Sequence, residues 1–498
     1  MPREVVKPIS RRTRGDLAIV LHSHMPYVEG YGTWPFGEEW LWEAVACVYL
    51  PLLDRLHGAR VTISLTPVLC DQLEALRGPA RGRFESFLRD TRARLHEDDA
   101  VRFEQAGEPL LAKEARRAAG DYAQADRLFA ELEGDVLAAF ARLAPASELW
   151  TSAATHAILP LLATPGAMRL QVRVGIASHI PRFGSWQGGF WLPECAYAAG
   201  LEYDLEREGV TAFCVDQTNA LGLGSPDQLE PIATAAGPVA VPIDWEMARL
   251  VWDGPTGYPG APPHRDYENA TDNALKLWSI DGGPYDHRAA RELARRQGRE
   301  FLYRVGARLD DYRAERKRSG LVCFALDTEI LGHWWYEGLE WLDAVLSDAS
   351  RQGINLVTLP AGLARHTLVA RPLTESSWGR QKDFSTWDSP AVADLTSAAR
   401  EAELLTVAAA RHASSPVGIE SQALERAARE LLALQASDWA FMRAHGRAGR
   451  YPDERVAGHL AGLALALGGA EDAALDAQVR NLAPVLDVSS LADGGGDA

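Results

Sequence analysis

The sequence predicts an α/β fold in which parallel strands alternate with helices and close into a barrel. Two observations support this prediction. Short apolar runs, such as 16–21 and 321–326, are separated by longer stretches in which apolar residues recur at helical spacing. In addition, polar side chains directly follow most of these runs. Because the C-terminal ends of parallel strands share one face of a barrel, we expect these side chains to form one pocket.

The sequence also predicts where the individual strands and helices lie. The first strand is a continuous apolar run, which is typical of a strand covered on both faces. Residues 71–144 are rich in Arg, Ala, Leu and Glu with few breakers, which predicts several helices outside the barrel. From 389 to about 467 a similar composition predicts a helical bundle. The strands are expected at 16–21, 61–66, 149–155, 189–192, 212–215, 239–243, 321–326 and 355–358.

Composition limits the function. The 498 residues carry a formal net charge of −17, which disfavours nucleic acid and anionic membranes as partners. The five cysteines are scattered and have no metal-binding spacing, so a reducing cytoplasm is the expected setting. No run approaches the length of a membrane span. We therefore expect a soluble cytoplasmic protein, a monomer or small homo-oligomer, with a small polar substrate.

The stretch 189–197 places a carboxylate where a pocket would need one. A strand fits 189–192, and Pro193 cannot continue its hydrogen bonding. Glu194 would then stand at the C-terminal end of the strand, between aromatic residues. An alternative is that Glu194 caps a helix beginning near Ala198. The other strand ends favour the pocket.

Histidines and acidic residues recur at those other strand ends. His22 and His24 have i, i+2 spacing, so an extended backbone points both rings to one side. Metal ligation, hydrogen bonding to sugar hydroxyls and hydrogen bonds within a loop are all compatible with this pair. The side chains expected to converge are His22, His24, His156, Glu194, Asp216, Asp244 and Asp327.

Two carboxylates on different strands, set among aromatic residues, suit chemistry at a glycosidic bond. One would act as nucleophile, and the other would protonate the leaving oxygen and then activate the acceptor. A zinc-dependent barrel, such as a polysaccharide deacetylase or a mannosidase, is the alternative that a His-x-His pair allows. No companion carboxylate follows the pair closely, which favours the first interpretation.

Taken together, several segments resemble the ordered motifs of glycoside hydrolase family 57, and within it the branching enzymes of 1,4-α-glucan. The resemblance extends from about residue 16 to about residue 445. It implies a distorted (β/α)7 barrel with a helical C-terminal domain that completes the cleft. The segments are 22–27, 151–160, 189–197, 325–338 and 376–387.

The resemblance also implies domains and residue roles. We expect a flexible N-terminus at 1–15, a barrel at 16–375 with a helical insertion at about 71–144, a C-terminal helical domain at 376–486, and a disordered tail at 487–498. Glu194 matches the nucleophile of the family and Asp327 its general acid/base, and no metal or cofactor is needed. The residues that match substrate-contacting positions are His22, His24, His156, Trp278, Trp378, Trp387, Asp383, Asp438 and Trp439. For Trp278 and Trp439, packing in the core is the alternative.

Two departures from the family pattern keep alternatives open. Branching enzymes of the family carry a loop tyrosine that shields the glycosyl-enzyme from water, and the corresponding segment 217–238 contains no tyrosine. Lys382 stands where glycine is expected before Asp383. An α-amylase-type hydrolase or a 4-α-glucanotransferase with little branching is therefore the nearest alternative. A glucan-binding protein without turnover is a further one.

Overall fold

A computed structural model describes residues 13–412, 421–469 and 479–492. Its centre is a curved sheet of mostly parallel strands whose order is β10-β6-β7-β5-β4-β3-β2-β1-β8, with β9 also paired to β1. The strands are β1 Gly15–Ser23, β2 Thr62–Leu65, β3 Glu148–Ser152, β4 Gly189–Trp191, β5 Ala212–Val215, β6 Ile232–Ala233, β7 Val239–Pro242, β8 Leu321–Asp327, β9 Ile354–Val357 and β10 Val369–Ala370.

Seven of these strands form a distorted barrel. Successive strands of the series β1, β2, β3, β4, β5 and β7 pair in parallel, and β8 pairs in parallel with β1. The gap between β7 and β8 is bridged just beyond β7, where the backbone N–H of Asp244 donates to the carbonyl of Cys323 at 2.9 Å. The barrel therefore closes through one displaced contact, which confirms the predicted (β/α)7 architecture.

Helices cover the barrel, and the helices from Ala393 onward form a separate layer. Within the described ranges, α-helices occupy Glu38–Ala44, Leu50–Arg55, Pro67–Ala75, Arg81–Ser86, Arg92–Gln105, Pro109–Glu131, Val136–Ala141, Pro165–Phe183, Leu201–Arg207, Thr218–Leu221, Trp245–Trp252, His287–Arg316, Gly338–Asp348, Leu359–Leu363, Ala393–His412, Ser421–Leu434, Asp438–His445, Tyr451–Leu467 and Ser489–Ala492. Single π-helical turns at Val45–Tyr49 and Phe87–Thr91 join neighbouring helices.

The predicted strands are confirmed within a few residues of their ends, whereas β6 and β10 were not predicted. These two strands have only two residues each, too few to produce a hydrophobic pattern. The helical insertion is present as a series of helices between 67 and 141. In the described chain, no helix is both long and apolar enough to span a membrane.

The expectations for the two termini have different outcomes. Residues 1–12 and 493–498 lie outside the described residues. The prediction of disorder from 487 is wrong as far as Ala492, because 489–492 form a helical turn. Leu491 in that turn is fully buried and packs with Ala167 and Leu170 of the helix Pro165–Phe183.

The close approach of β4 to β3 requires a glycine. A Cβ atom at Gly189 would lie 1.9 Å from Nε1 of the buried Trp150 ring. We expect Gly189→Ala to lower the free energy of unfolding by about 1–3 kcal/mol or more, because the ring cannot move within a packed core. Denaturant unfolding monitored by circular dichroism measures this change.

Gly82→Ala is the matched control for Gly189→Ala. Gly82 lies within the helix Arg81–Ser86, and a Cβ atom there would meet nothing within 4 Å. We expect this variant to be as stable as the wild type or slightly more stable, because alanine favours the helix. Equal stability of the two variants would contradict the packing argument.

Candidate active site

The backbone after β4 turns sharply to present Glu194 at the barrel mouth. The strand ends at Trp191, and a 3-10 turn follows over Pro193–Cys195. Glu194 itself has φ of 57°, in the left-handed region that side chains rarely adopt. The next helix begins only at Leu201. The alternative that Glu194 caps this helix is therefore wrong.

The carboxylate of Glu194 is largely withdrawn from water and held by a tryptophan. Its side chain is 18% exposed. The indole Nε1–H of Trp378 donates to Oε2 at 2.8 Å, and the backbone N–H of Trp378 donates to the carbonyl of Glu194 at 2.9 Å. Burial raises the pKa of Glu194 to about 7, while the indole hydrogen bond opposes this rise. Glu194 is thus a carboxylate that ionises near neutral pH.

Asp327 ends β8 beside His22 of β1, since the two residues are partners in the strand register. Burial raises the pKa of Asp327 well above its usual value, and the charges of Glu194, Glu329 and Asp438 add to the rise. Burial raises the pKa of both carboxyl groups, but the causes differ: the Trp378 hydrogen bond opposes the rise at Glu194, whereas burial and the neighbouring negative charges all favour the protonated form of Asp327.

Glu329 is a third carboxyl group in the site, two residues after Asp327. Its Oε1 accepts hydrogen bonds from the hydroxyl of Tyr49 and from the backbone N–H of His24. Burial raises the pKa of Glu329 to about 7. Its charge acts on Asp327, so Glu329 tunes the proton affinity of its neighbour.

Three imidazole rings form a stack beside the carboxyl groups. The ring centroids of His24 and His156 are 4.2 Å apart, and those of His22 and His156 are 4.9 Å apart. Trp191, which is fully buried in the barrel, stacks on His22 at 4.6 Å. Burial lowers the pKa of His22 and of His156 well below the usual value, so both rings are neutral near pH 7.

All the ring nitrogens of the stack have hydrogen-bonding partners. Nε2 of His22 lies 2.9 Å from Nε2 of His156, so one of the two carries the proton. The remaining nitrogens lie within 3.3 Å of Ser64 Oγ, Thr66 Oγ1, Asp438 Oδ2 and Ser437 Oγ. This network orients the rings as hydrogen-bonding groups. Among the described residues, no group of three or more His, Cys, Asp or Glu side chains is arranged to hold a metal ion.

The C-terminal helices complete this side of the site. Asp438 Oδ2 lies 2.9 Å from Nε2 of His24, and Ser437 Oγ lies 2.9 Å from Nδ1 of His156. The backbone N–H of Ser437 also donates to the carbonyl of His156 at 3.3 Å. The predicted site residue Asp438 is thus joined to the barrel mouth from a segment far away in sequence.

Two of the predicted tryptophans are buried. Trp387 is 1% exposed and packs with Ile158, Val392 and Ala440, and its sugar-stacking role stays a prediction. Trp439 is 2% exposed, and its Nε1–H donates to a backbone carbonyl at 2.8 Å. Trp439 is therefore a core anchor of the helical domain, which is the alternative that its place in a helix offered.

Trp278 and Asp383 lie in surroundings that leave their roles as predictions. Trp278 is half-buried and packs edge-on against Phe103 of the helical insertion, with ring centroids 5.9 Å apart. The carboxylate of Asp383 accepts hydrogen bonds from the hydroxyl and the N–H of Ser385, which lower its pKa.

Two acidic residues of the expected pocket are instead paired with cations. Asp244 is fully buried, and its Oδ2 lies 3.0 Å from Nε of Arg308. Asp216 is also fully buried, and its Oδ2 lies 2.7 Å from Nζ of Lys382. Of the polar residues predicted to converge, the three histidines, Glu194 and Asp327 share the site, while these two support the loops around it.

Sequence reasoning missed several groups of the site. Glu329 lies inside the segment 325–338 that resembles a family motif. Its place two residues after Asp327 at a strand end could have identified it as a site residue. No sequence pattern indicated the supporting roles of Trp191, Tyr49 and Ser437. An aromatic or hydroxyl residue in a strand or helix has the same pattern whether it supports a site or only fills the core.

The fold and site define the class of protein. A pair of carboxyl groups largely withdrawn from water, at the mouth of a parallel barrel and among tryptophans, is typical of enzymes that act on glycosidic bonds. The model of glycosyl hydrolase family 57 matches residues 18–243. A model of the C-terminal region of 1,4-alpha-glucan branching enzymes matches residues 398–483.

Similar proteins agree with these matches. The 1,4-alpha-glucan branching enzyme of Thermococcus kodakarensis is 30% identical over 90% of this chain and 72% of its own length. A probable 1,4-alpha-glucan branching enzyme of Mycobacterium tuberculosis is 33% identical over 89% of this chain and 90% of its own. The crystal structure of the family 57-type branching enzyme from Pyrococcus horikoshii superposes with a TM-score of 0.88 at 29% identity, covering 97% of this chain and 98% of the other. The chain belongs to glycosyl hydrolase family 57.

Removing the indole N–H of Trp378 tests whether this donor lowers the pKa of Glu194. Trp378→Phe loses the N–H that stabilises the carboxylate, so the pKa of Glu194 should rise. A hydrogen bond to a charged group is worth about 1.5–3 kcal/mol, which corresponds to about one to two pH units. We expect the acid limb of kcat/KM, near pH 7 in the wild type, to move up by that amount. An unchanged acid limb would contradict the assignment of this limb to Glu194.

Removing the charge of Glu329 tests its effect on Asp327. In Glu329→Gln, one amide oxygen can still accept from both Tyr49 and His24, while the negative charge that exists above about pH 7 is lost. The pKa of Asp327 should fall, so the basic limb of kcat/KM should move to lower pH. Glu131→Gln, at an exposed helix end, is the control and should keep the wild-type profile. A basic limb that stays in place or moves up would refute the coupling.

Proposed function

We propose that this protein is a 1,4-α-glucan branching enzyme, which cleaves an α-1,4 bond and transfers the released chain to a sugar 6-hydroxyl with retention of configuration. The observation that carries the proposal is that Glu194, held by the Trp378 indole, and Asp327 lie together at the barrel mouth in a chain of this family. The match of residues 398–483 to the C-terminal region of branching enzymes supports transfer as the outcome.

Glu194 acts as the nucleophile in this proposal. Above about pH 7 it is ionised, and the hydrogen bond from Trp378 fixes Oε2. The free Oε1 then attacks the anomeric carbon, the glycosidic bond breaks, and the chain is held as a covalent ester on Glu194. The tight turn that sets φ of 57° keeps this carboxylate in one orientation.

Asp327 acts as the general acid and then as the general base. Its raised pKa keeps the proton available for the leaving 4-oxygen, so that the departing sugar leaves as an alcohol. The resulting carboxylate then takes the proton from the acceptor 6-hydroxyl, whose oxygen attacks the anomeric carbon. The bond between this carbon and Glu194 breaks, and Glu194 leaves as a carboxylate. The proton balance closes over the two steps.

The histidine stack and Asp438 bind the sugar at the reacting centre. Neutral His22 and His156 place no cation beside the developing positive charge of the sugar, and their contact with it is proposed as the family resemblance implies. Asp438 holds His24 from the helical domain. Trp278 and Asp383 are proposed to contact the glucan chain further from the reacting bond, as the family resemblance implies.

A second candidate function is hydrolysis or 4-α-transfer in place of branching. The segment 217–238 contains no tyrosine to shield the ester from water. This segment is also tied down, because Arg308 donates to the carbonyls of Gly224 and Ser225 at 2.6 Å each. Tyr258, the next tyrosine along the chain, is 7% exposed. Water is therefore a stronger competitor than in a shielded site.

The setting proposed for this activity is glycogen or related α-glucan metabolism in the cytoplasm. The five free cysteines suit a reducing compartment, and the net charge of −17 suits a neutral polysaccharide better than nucleic acid or an anionic membrane.

Product analysis on amylose tests the proposal. We expect new α-1,6 branch points together with a smaller number of reducing ends. Glu194→Gln and Asp327→Asn should each lower both products by at least roughly a thousandfold, because each removes a group that acts at the reacting bond. Glu131→Gln should leave both unchanged.

The other outcomes distinguish the alternatives. Reducing ends without branch points would make the protein a hydrolase. Redistributed α-1,4 chain lengths without branch points would make it a 4-α-glucanotransferase. Binding of amylose with neither product would indicate a glucan-binding protein, and substantial turnover by Glu194→Gln would remove Glu194 from the role of nucleophile.

A further inference from the structure

Lys382 occupies a backbone conformation that favours glycine, yet its side chain turns inward. Its φ is 63°, and its side chain is 13% exposed. Nζ lies 2.7 Å from Oδ2 of Asp216 and 3.0 Å from the ring centroid of Trp245. Burial of a lysine with a carboxylate is costly unless the pair is well placed, so this pair requires an explanation.

The partner of Lys382 is fixed at the end of β5. Asp216 directly follows the strand, and its side chain is fully buried. Oδ1 of Asp216 accepts from the backbone N–H of Thr218 at 3.0 Å, which leaves Oδ2 to the ammonium group. The ion pair therefore joins a rigid part of the barrel to the loop that contains Lys382.

That loop also contains Trp378, the hydrogen-bond donor to Glu194. The backbone N–H of Lys382 donates to the carbonyl of Gly379 at 2.9 Å, and the N–H of Ser377 donates to the carbonyl of Lys382 at 3.2 Å. These bonds close a tight turn around Trp378. A displacement of Lys382 would consequently move the indole relative to Glu194.

The residues after β5 reinforce the same attachment. Nε2 of Gln217 donates to the carbonyl of Thr374 at 2.8 Å and to Oγ of Ser376 at 2.9 Å. Nδ2 of Asn219 donates to the carbonyl of Gln381 at 3.2 Å. The segment 216–219 thus holds the loop before and after Trp378, and Lys382–Asp216 is its charged contact.

We propose that Lys382 is a positioning residue, which acts through its ion pair with Asp216 to hold the Trp378 indole in hydrogen-bonding position on the nucleophile Glu194. This inference rests on the proposed function, since it assumes that Glu194 attacks the sugar. It assigns a role to the residue that departs from the glycine expected at this place.

The first test is the pH profile of total glucan turnover, counted as branch points plus reducing ends. Lys382→Met should move the acid limb of kcat/KM up by about one pH unit, because a misplaced indole stabilises the carboxylate less. Lys382→Arg retains a cation opposite Asp216 and should keep most of the wild-type profile. The other titratable groups that face Glu194 are unchanged in these variants; they are His24, His156, Asp327 and Asp438.

A double-mutant cycle separates positioning from simple loss of stability. In a Trp378→Phe background, Lys382→Met should cause no further shift of the acid limb, since the indole it positions is absent. In Lys382→Met/Asp216→Asn, the buried unpaired charge is gone and the melting temperature should recover, while the shifted limb remains. Additive shifts, or a limb that returns with the melting temperature, would overturn the proposal.

A readout without turnover makes the test independent of the reaction. The indole ¹⁵N–¹H resonance of Trp378, assigned by its absence in Trp378→Phe, should move in Lys382→Met. Lys317→Met is the matched control, because Lys317 also has a positive φ, 57°, but is exposed at the end of the helix His287–Arg316. An unmoved resonance in Lys382→Met would overturn the proposal, whereas absence of branch points from the wild type would refute only the proposed function.

Discussion

Glu194 and Asp327 lose most of their contact with water at the barrel mouth, and a carboxyl group out of water is costly to ionise unless hydrogen bonds compensate. The site compensates the two carboxyl groups unequally. Glu194 receives the indole hydrogen bond of Trp378, whereas burial and the nearby charges of Glu194, Glu329 and Asp438 all favour the protonated form of Asp327. In the proposed mechanism, this one pair supplies both the nucleophile and the acid.

The fold meets this constraint by bringing distant segments to one edge of the barrel. Strands β4 and β8 deliver the carboxyl groups, the loop 376–383 delivers the indole, and the helix Asp438–His445 delivers a carboxylate to His24. Positive φ angles at His156, Glu194 and Lys382 show where the backbone is bent to direct these side chains. Such strained positions persist because the surrounding contacts over-determine them.

The features that could be predicted are those with a local pattern. A strand followed by a polar residue has the same sequence signature wherever the strand lies, so the positions of His22, Glu194 and Asp327 at strand ends could be predicted correctly. The burial of Trp387 could not, because a tryptophan in a polar loop becomes core only when another segment covers it. The two-residue strands β6 and β10 carry too little pattern to be recognised.

The sequence by itself determined the α/β barrel class, the strand ends that carry the candidate catalytic residues, and the resemblance to a family of α-glucan enzymes, because these depend on periodicity and local motifs. Only the tertiary structure decided which acidic residues share the site and which pair with cations: Asp216 and Asp244 look like Glu194 and Asp327 along the chain, but Lys382 and Arg308 neutralise them. The physical reason is that the ionisation of a carboxyl group is set by desolvation and by neighbours in space, and those neighbours are brought together by the fold.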